Sequence, residues 1–206
     1  MPVTAGSNVI EMSQRLQYQK GGLGRKYWDY RDSQSFRHLK GPAILDAGCG
    51  EGITLEKLIK LHPDWNIEGL DIDTANVSIC KSIGLPAQHG SLYELPFENE
   101  RFDSCLFMEV IEHLEHPDKA LGELARVTKK NGRLVIVFPI DWAMYAVRLI
   151  CLRFKEAAFD PGHLRQWSIR DLAIALRSYG FGYITAISLP LPTPFALHKL
   201  VVAQKS

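Results

Sequence analysis

From position 43 onward the chain alternates short apolar runs with amphipathic segments, which predicts repeated βαβ units and a mainly parallel sheet with helices on its faces. Strands are expected at 43–47, 66–70, 86–89, 102–108 and 133–138. Between them, Ile53, Leu55, Leu58, Ile59 and His62 approximate one helical face, and Leu121, Leu124, Ala125 and Thr128 another. Asn131-Gly132 is expected to end the second of these helices, because both residue types tolerate left-handed backbone angles. A further helix over 168–179 carries Ile169, Leu172, Ala173 and Leu176 inward, with Ser168 and Asp171 suited to its first turn and Gly180 to its end. The segments 183–189 and 197–203 read as two more strands, joined by a proline-rich loop from Pro190 to Pro194.

Two stretches fall outside this alternation. Residues 1–40 are polar, glycine-dotted and aromatic, and form an N-terminal arm or lid ahead of a main domain over 41–206; Gly21-Gly22-Leu23-Gly24 divides the arm into two weakly helical pieces. An insertion over about 139–162 places Trp142, Tyr145, Ala146, Leu149 and Leu152 near helical spacing, with Arg148, Arg153 and Lys155 among them. It reads as an amphipathic cap over an apolar ligand or against a membrane surface, or equally as an ordinary core helix.

Charge narrows the partners: 24 basic against 23 acidic side chains give a net +1, which supplies no broad attraction for nucleic acid. The four cysteines, Cys49, Cys80, Cys105 and Cys151, are scattered and mostly sit in apolar runs, which suits a reducing, cytoplasmic setting. No apolar run is long enough to span a bilayer, so neither secretion nor membrane insertion is expected. The histidines and cysteines show no metal-ligand spacing, and no metal site is expected.

The first expected strand runs into Asp46-Ala47-Gly48-Cys49-Gly50-Glu51-Gly52 and then a helical pattern. Glycines there permit a tight turn and close approach of a ligand to the backbone, and the following helix offers unpaired N–H groups. The spacing is G-x-G-x-G, however, with Ile53 where a dinucleotide fingerprint has its third glycine. Asp46 and Glu51 flank the turn without a lysine or arginine inside it, which disfavours a pyrophosphate and suits a cationic ligand such as S-adenosyl-L-methionine. Asp71 ends the second strand 23 residues after Gly48, close to the spacing of about 20 expected of a ribose-binding acid. Asp73 and Thr74 supply the cap for the helix that follows.

The ordered blocks Ile44–Gly52, Gly69-Leu70-Asp71-Ile72-Asp73, Leu95-Pro96-Phe97, Phe102-Asp103 and Met108-Glu109-Val110-Ile111-Glu112-His113-Leu114 together resemble the class I S-adenosylmethionine-dependent methyltransferases. Within that family they look most like the ubiquinone and menaquinone branch, over about residues 27–203. The resemblance implies a Rossmann-like α/β fold with a seven-stranded, mostly parallel sheet ending in an antiparallel hairpin. It also implies that Asp46, Gly48, Cys49 and Gly50 hold the methionyl part of the cofactor, Asp71 the ribose and Ile72 one adenine face. Ser91 and Leu92 would meet the adenine edge, and Ser91 departs from the aspartate usual there, so any bond it accepts lacks charge assistance.

Methyl transfer is an in-line displacement that depends on alignment more than on a covalent nucleophile. Met108 and Glu109 end the fourth strand, at the carboxyl edge where open α/β sheets bind ligands, and are expected beside the reacting methyl. His113 follows as a candidate base for an acceptor hydroxyl or amine, or as a cap of the next segment. His163, Arg165 and Trp167 alternate on an extended segment and would project together, either against the acceptor or as a solvated basic loop with one core tryptophan; His163 is the second candidate base. Tyr27 and Trp28 are a lid over the site or an aromatic anchor for the arm. Three functions stay open at this point: a methyltransferase acting on a small, hydrophobic or lipid-linked acceptor, a nucleotide-dependent oxidoreductase, and an inactive cofactor-binding module.

Overall fold

The computed structural model describes residues 13–140, 143 and 166–206. Seven strands form one sheet: β1 (Ala43–Ala47), β2 (Asn66–Asp71), β3 (Ala87–His89), β4 (Phe102–Met108), β5 (Thr128–Pro139), β6 (Phe181–Leu189) and β7 (His198–Lys205). Their spatial order is β3-β2-β1-β4-β5-β7-β6. β1 to β5 run parallel, and β7 lies antiparallel between β5 and β6. The chain thus winds outward from β1 to β3, then returns to the other side of β1 to lay down β4. Carboxyl ends of strands at such a reversal diverge and leave a crevice.

Alternate residues of each strand serve opposite faces, as the pleat requires. Leu45, Cys105, Phe107, Leu134 and Ile136 pack with Leu121 and Leu124 of α5 (Pro117–Val127) and Leu172 and Leu176 of α6 (Ile169–Ser178). Ile44, Leu106, Met108, Val135 and Val137 pack on the other face with α2 (Gly22–Phe36), α3 (Ile53–Leu61) and α4 (Thr74–Ser82). Ser168 caps α6, accepting from Asp171 N while its hydroxyl donates to the Asp171 carboxylate at 2.7 Å, and Asp73 caps α4.

Asn131-Gly132 does not end a helix. α5 stops at Val127, where the Thr128 hydroxyl donates to Leu124 O at 2.6 Å, and Thr128 already pairs with Phe102 as the start of β5. Asn131, at φ 60°, lies in the stretch of β5 where the register to β4 shifts between Phe102 and Ser104. The same left-handed preference that suits a helix end also suits such a bulge. In the arm, Gly21 at φ 76° is the break between α1 (Gln14–Gln19) and α2, and Gly22 to Gly24 already belong to α2. Most of the insertion at 139–162, with Trp142, Tyr145 and the basic residues assigned to it, lies outside the described residues, as do His163 and Arg165.

Candidate active site

The glycine turn leaves β1 at the reversal point. Gly48, Gly50 and Gly52 all have positive φ, and a Cβ on Gly48 would stand 2.6 Å from Val110 Cγ2, so this corner admits no side chain. Gly48 N and Cys49 N donate to Leu70 O at 2.8 and 3.0 Å, tying the turn to β2. Asp71 continues that tie: its Oδ2 accepts from Gly50 N at 2.8 Å, while Oδ1 accepts from Asp73 N at 2.9 Å. Asp71 is therefore a buried member of the turn, 8% exposed, rather than an acid facing open solvent.

Asp46 lies deeper. Its Oδ2 is buried with no hydrogen-bond partner. Burial, aided by the negative charges of Asp32 and Asp71, pushes its carboxyl up to about 8. A cation brought beside this oxygen would restore the carboxylate. That is the electrostatic fit expected of an ammonium-bearing ligand, and a pyrophosphate would worsen the burden.

Glu51 has a different task from the one its charge suggested. Its carboxylate accepts from the Ser13 hydroxyl, Gln14 N and Arg15 N, closing the amino end of α1. Arg15 completes the clasp by donating to Glu51 O and to the Glu56 carboxylate. The arm is thereby fastened across the outside of the glycine turn, and Gln14 Oε1 stands 4.0 Å from where a Gly50 Cβ would be.

A second polar group assembles at the ends of β4 and β7. Glu109 follows β4 at φ 56°, an uncommon conformation for a residue with a side chain, held by its N–H donating to Val137 O at 2.8 Å. Its Oε1 lies 3.1 Å from His198 Nε2 and 3.6 Å from an Arg31 guanidinium nitrogen. His198 is buried and opens β7; its Nδ1 is 2.6 Å from the Tyr27 hydroxyl. Burial pushes the Tyr27 phenol above its ordinary range, so it stays protonated and shares one proton with Nδ1, while Nε2 faces Glu109. Arg31 also binds Asp32 at 2.9 Å, and Lys57 joins Asp32 to Asp29.

Comparison with known proteins agrees with this layout. Residues 45–136 match the family described as Methyltransferase domain. The chain is 27% identical to the ubiquinone biosynthesis O-methyltransferase of Rhodopseudomonas palustris, over 82% of this chain and 68% of that one. It is 30% identical to the Bradyrhizobium protein of the same name, over 75% of this chain and 61% of that one. A solved S-adenosylmethionine-dependent methyltransferase from Archaeoglobus fulgidus shares the fold at a TM-score of 0.69 and 19% identity, covering 93% of this chain and 99% of that one. Together these matches and the fold support a class I S-adenosylmethionine-dependent methyltransferase.

In this methyltransferase S-adenosyl-L-methionine is the cofactor, and the unpartnered Asp46 oxygen is the feature of the turn that fits its charge. Around the turn, Ile72 is 65% exposed beside Asp71. Ser91 Oγ accepts from Tyr93 N at 3.1 Å, and Leu92 is half-buried next to it. The neighbouring loop is bracketed by Arg126, which donates to Leu95 O, Phe97 O and Asn99 Oδ1 while paired with Glu123. Met108 is buried at the end of β4.

His113 is exposed on the 3₁₀ turn Ile111–His113. The half-buried Trp167 packs on the core and donates its indole N–H to Ile111 O at 3.4 Å, bracing that turn. Trp28 stacks on Tyr18 of α1 with centroids 6.1 Å apart, so it joins the two arm helices, while Tyr27 reaches the sheet. Sequence reasoning missed His198, Arg31 and Asp32. Only the antiparallel register that sets His198 opposite Pro139 brings it to the ligand edge, and nothing local signals that register.

Proposed function

We propose that this methyltransferase acts on a hydroxyl of a small, apolar, quinol-like acceptor that enters where β4, β7 and the arm meet. The observation that carries the reading is the group Glu109, His198 and Tyr27 at that edge, set beside an apolar rim. Leu191 and Phe195 of the β6–β7 loop are 54% and 72% exposed, and the Tyr30 hydroxyl is 3.5 Å from Pro190 O of the same loop. The O-methyltransferase names of the two relatives point the same way.

Bound at the turn, the cofactor supplies an electrophilic methyl group on a sulfonium. Asp46, Gly48, Cys49 and Gly50 would hold its methionyl end, Asp71 its ribose, Ile72, Ser91 and Leu92 its adenine, and Met108 would pack near the methyl. Glu109 would take the proton of the acceptor hydroxyl, with His198 holding the carboxylate and Tyr27 holding the imidazole. His113 is the rival base, favoured by its exposure close to β4.

A screen with isotopically labelled S-adenosylmethionine tests the proposal, using alkylated dihydroxybenzenes, polar phenols and primary amines as acceptors. Label is expected on an alkylated phenol oxygen. Transfer confined to amines, or to phenols without an apolar tail, would overturn it.

A further inference from the structure

Two thiols lie under the cofactor turn and the reaction uses neither as a nucleophile. Cys49 belongs to the turn and Cys80 to α4, and both sulfurs point at one acceptor: Gly50 O is 3.8 Å from Cys49 Sγ and 3.4 Å from Cys80 Sγ. The space around them is kept open by glycine. A Cβ on Gly69 would stand 2.9 Å from Cys49 Sγ, and one on Gly52 would stand 2.7 Å from Cys80 Sγ. Both cysteines are free and buried, and Gly50 O, which each sulfur reaches, lies between them as a shared acceptor.

We propose that Cys49 and Cys80 are an oxidisable pair, and that peroxide converts them to a disulfide which pins the glycine turn to α4 and weakens cofactor binding. Cys80 is the attacking sulfur. The bond from Cys49, and then the positive charge of Arg15, favour its thiolate, and Arg15 is the arm residue clasped to Glu51 immediately above. The thiolate attacks one peroxide oxygen, the O–O bond breaks, and the departing hydroxide takes up a proton to leave as water. Cys49 then attacks the resulting sulfenic sulfur, the S–O bond breaks, and a second water departs. Two thiols and one peroxide give one disulfide and two waters. Peroxide, being close to water in size, needs no channel wider than the crevice that admits the cofactor.

The effect on binding follows from what the turn is tied to. A sulfur–sulfur bond of about 2.05 Å is far shorter than a hydrogen-bonded contact between thiols, so closure draws Cys49 toward α4. Cys49 N and Gly50 N are the groups that fasten the turn to Leu70 O and to the Asp71 carboxylate. Gly50 O at the same time loses both S–H donors. The ribose acid and the methionyl pocket therefore shift together.

The inference rests on the cofactor sitting at this turn, which binding of S-adenosylhomocysteine to the reduced protein checks separately. The full chain would be treated with hydrogen peroxide, capped with N-ethylmaleimide and mapped by mass spectrometry, then titrated with S-adenosylhomocysteine before and after reduction. A Cys49–Cys80 linked peptide is expected, with affinity lowered at least about tenfold and restored by dithiothreitol. Cys80→Ser should bind as the reduced wild type does and lose the response to peroxide. Absence of the linked peptide, or a linked protein that binds as tightly as the reduced one, would overturn the proposal.

Discussion

The two halves of the ligand crevice are built in opposite ways. On the β1–β2 side, the glycine turn and Asp71 come from 26 consecutive residues, 46–71, and hold one another through local backbone bonds. On the β4–β7 side, Tyr27, Arg31, Glu109 and His198 come from the arm, a strand end and the opening of β7, and the two that touch at 2.6 Å are 171 positions apart in the chain. A site made within one βαβ unit carries its chemistry in its spacing. A site made across the chain exists only once the topology is known.

Separate losses would sharpen that contrast. Glu109→Gln keeps the size of the side chain and removes its basicity, so turnover on the acceptor found by the screen should fall by about 10²- to 10⁴-fold. Cofactor affinity should stay within about twofold of wild type, since the turn is untouched. If calorimetry shows the affinity falling with the turnover, the two halves are coupled and the contrast breaks.

Asp71→Ala is the counterpart. It removes the carboxylate proposed to hold the ribose and leaves the buried Gly50 N–H without its partner, so cofactor affinity should weaken at least about tenfold and the fold by about 1–3 kcal/mol. Asp71→Asn should lie between, because the amide oxygen still accepts. Wild-type affinity in Asp71→Ala would remove Asp71 as the ribose anchor and shift that role to Asp73.

The smallest effect is a pH dependence. Asp46 has its carboxyl raised from 3.8 to about 8 in the free protein, so as pH climbs between those two values the unfolded chain gives up a proton that the folded chain keeps, and stability falls progressively. A bound cation lowers the raised value, so binding releases a proton below pH 8. Affinity should then increase with pH up to about 8 and flatten above it, by less than about tenfold per unit. Calorimetry in buffers of different ionisation enthalpy counts the released proton, and Asp46→Asn should give a flat profile. A wild-type profile that is flat from pH 6 to 8 would show that the cofactor's charge does not reach Asp46.

The sheet was legible in the sequence because strands covered by helices on both faces are buried on both sides, and so read as short continuous apolar runs between amphipathic segments. The expected strand 102–108 matches β4, and only β5 was seriously short, since Thr128 to Gly132 pair irregularly around a bulge. The turn was legible for the same local reason. Glu51 was misjudged because a carboxylate's sign says nothing of which donors reach it, and here they come from Ser13, Gln14 and Arg15. His198 was illegible because its meaning lies in the antiparallel return of β7 beside β5.

That return has a consequence for how the chain comes together during synthesis. β7 is the last of the seven strands to leave the ribosome, yet it is an interior strand, paired with β5 over Arg133–Pro139 and with β6 over Phe181–Leu189. Until it arrives, the finished β1–β5 sheet ends in an open edge whose residues Leu134 to Val137 are otherwise fully buried. Such an apolar edge invites pairing with a second nascent chain. His198 enters with the strand that closes this edge, so its contacts with Tyr27 and Glu109 and the protection against misassembly are completed in the same step.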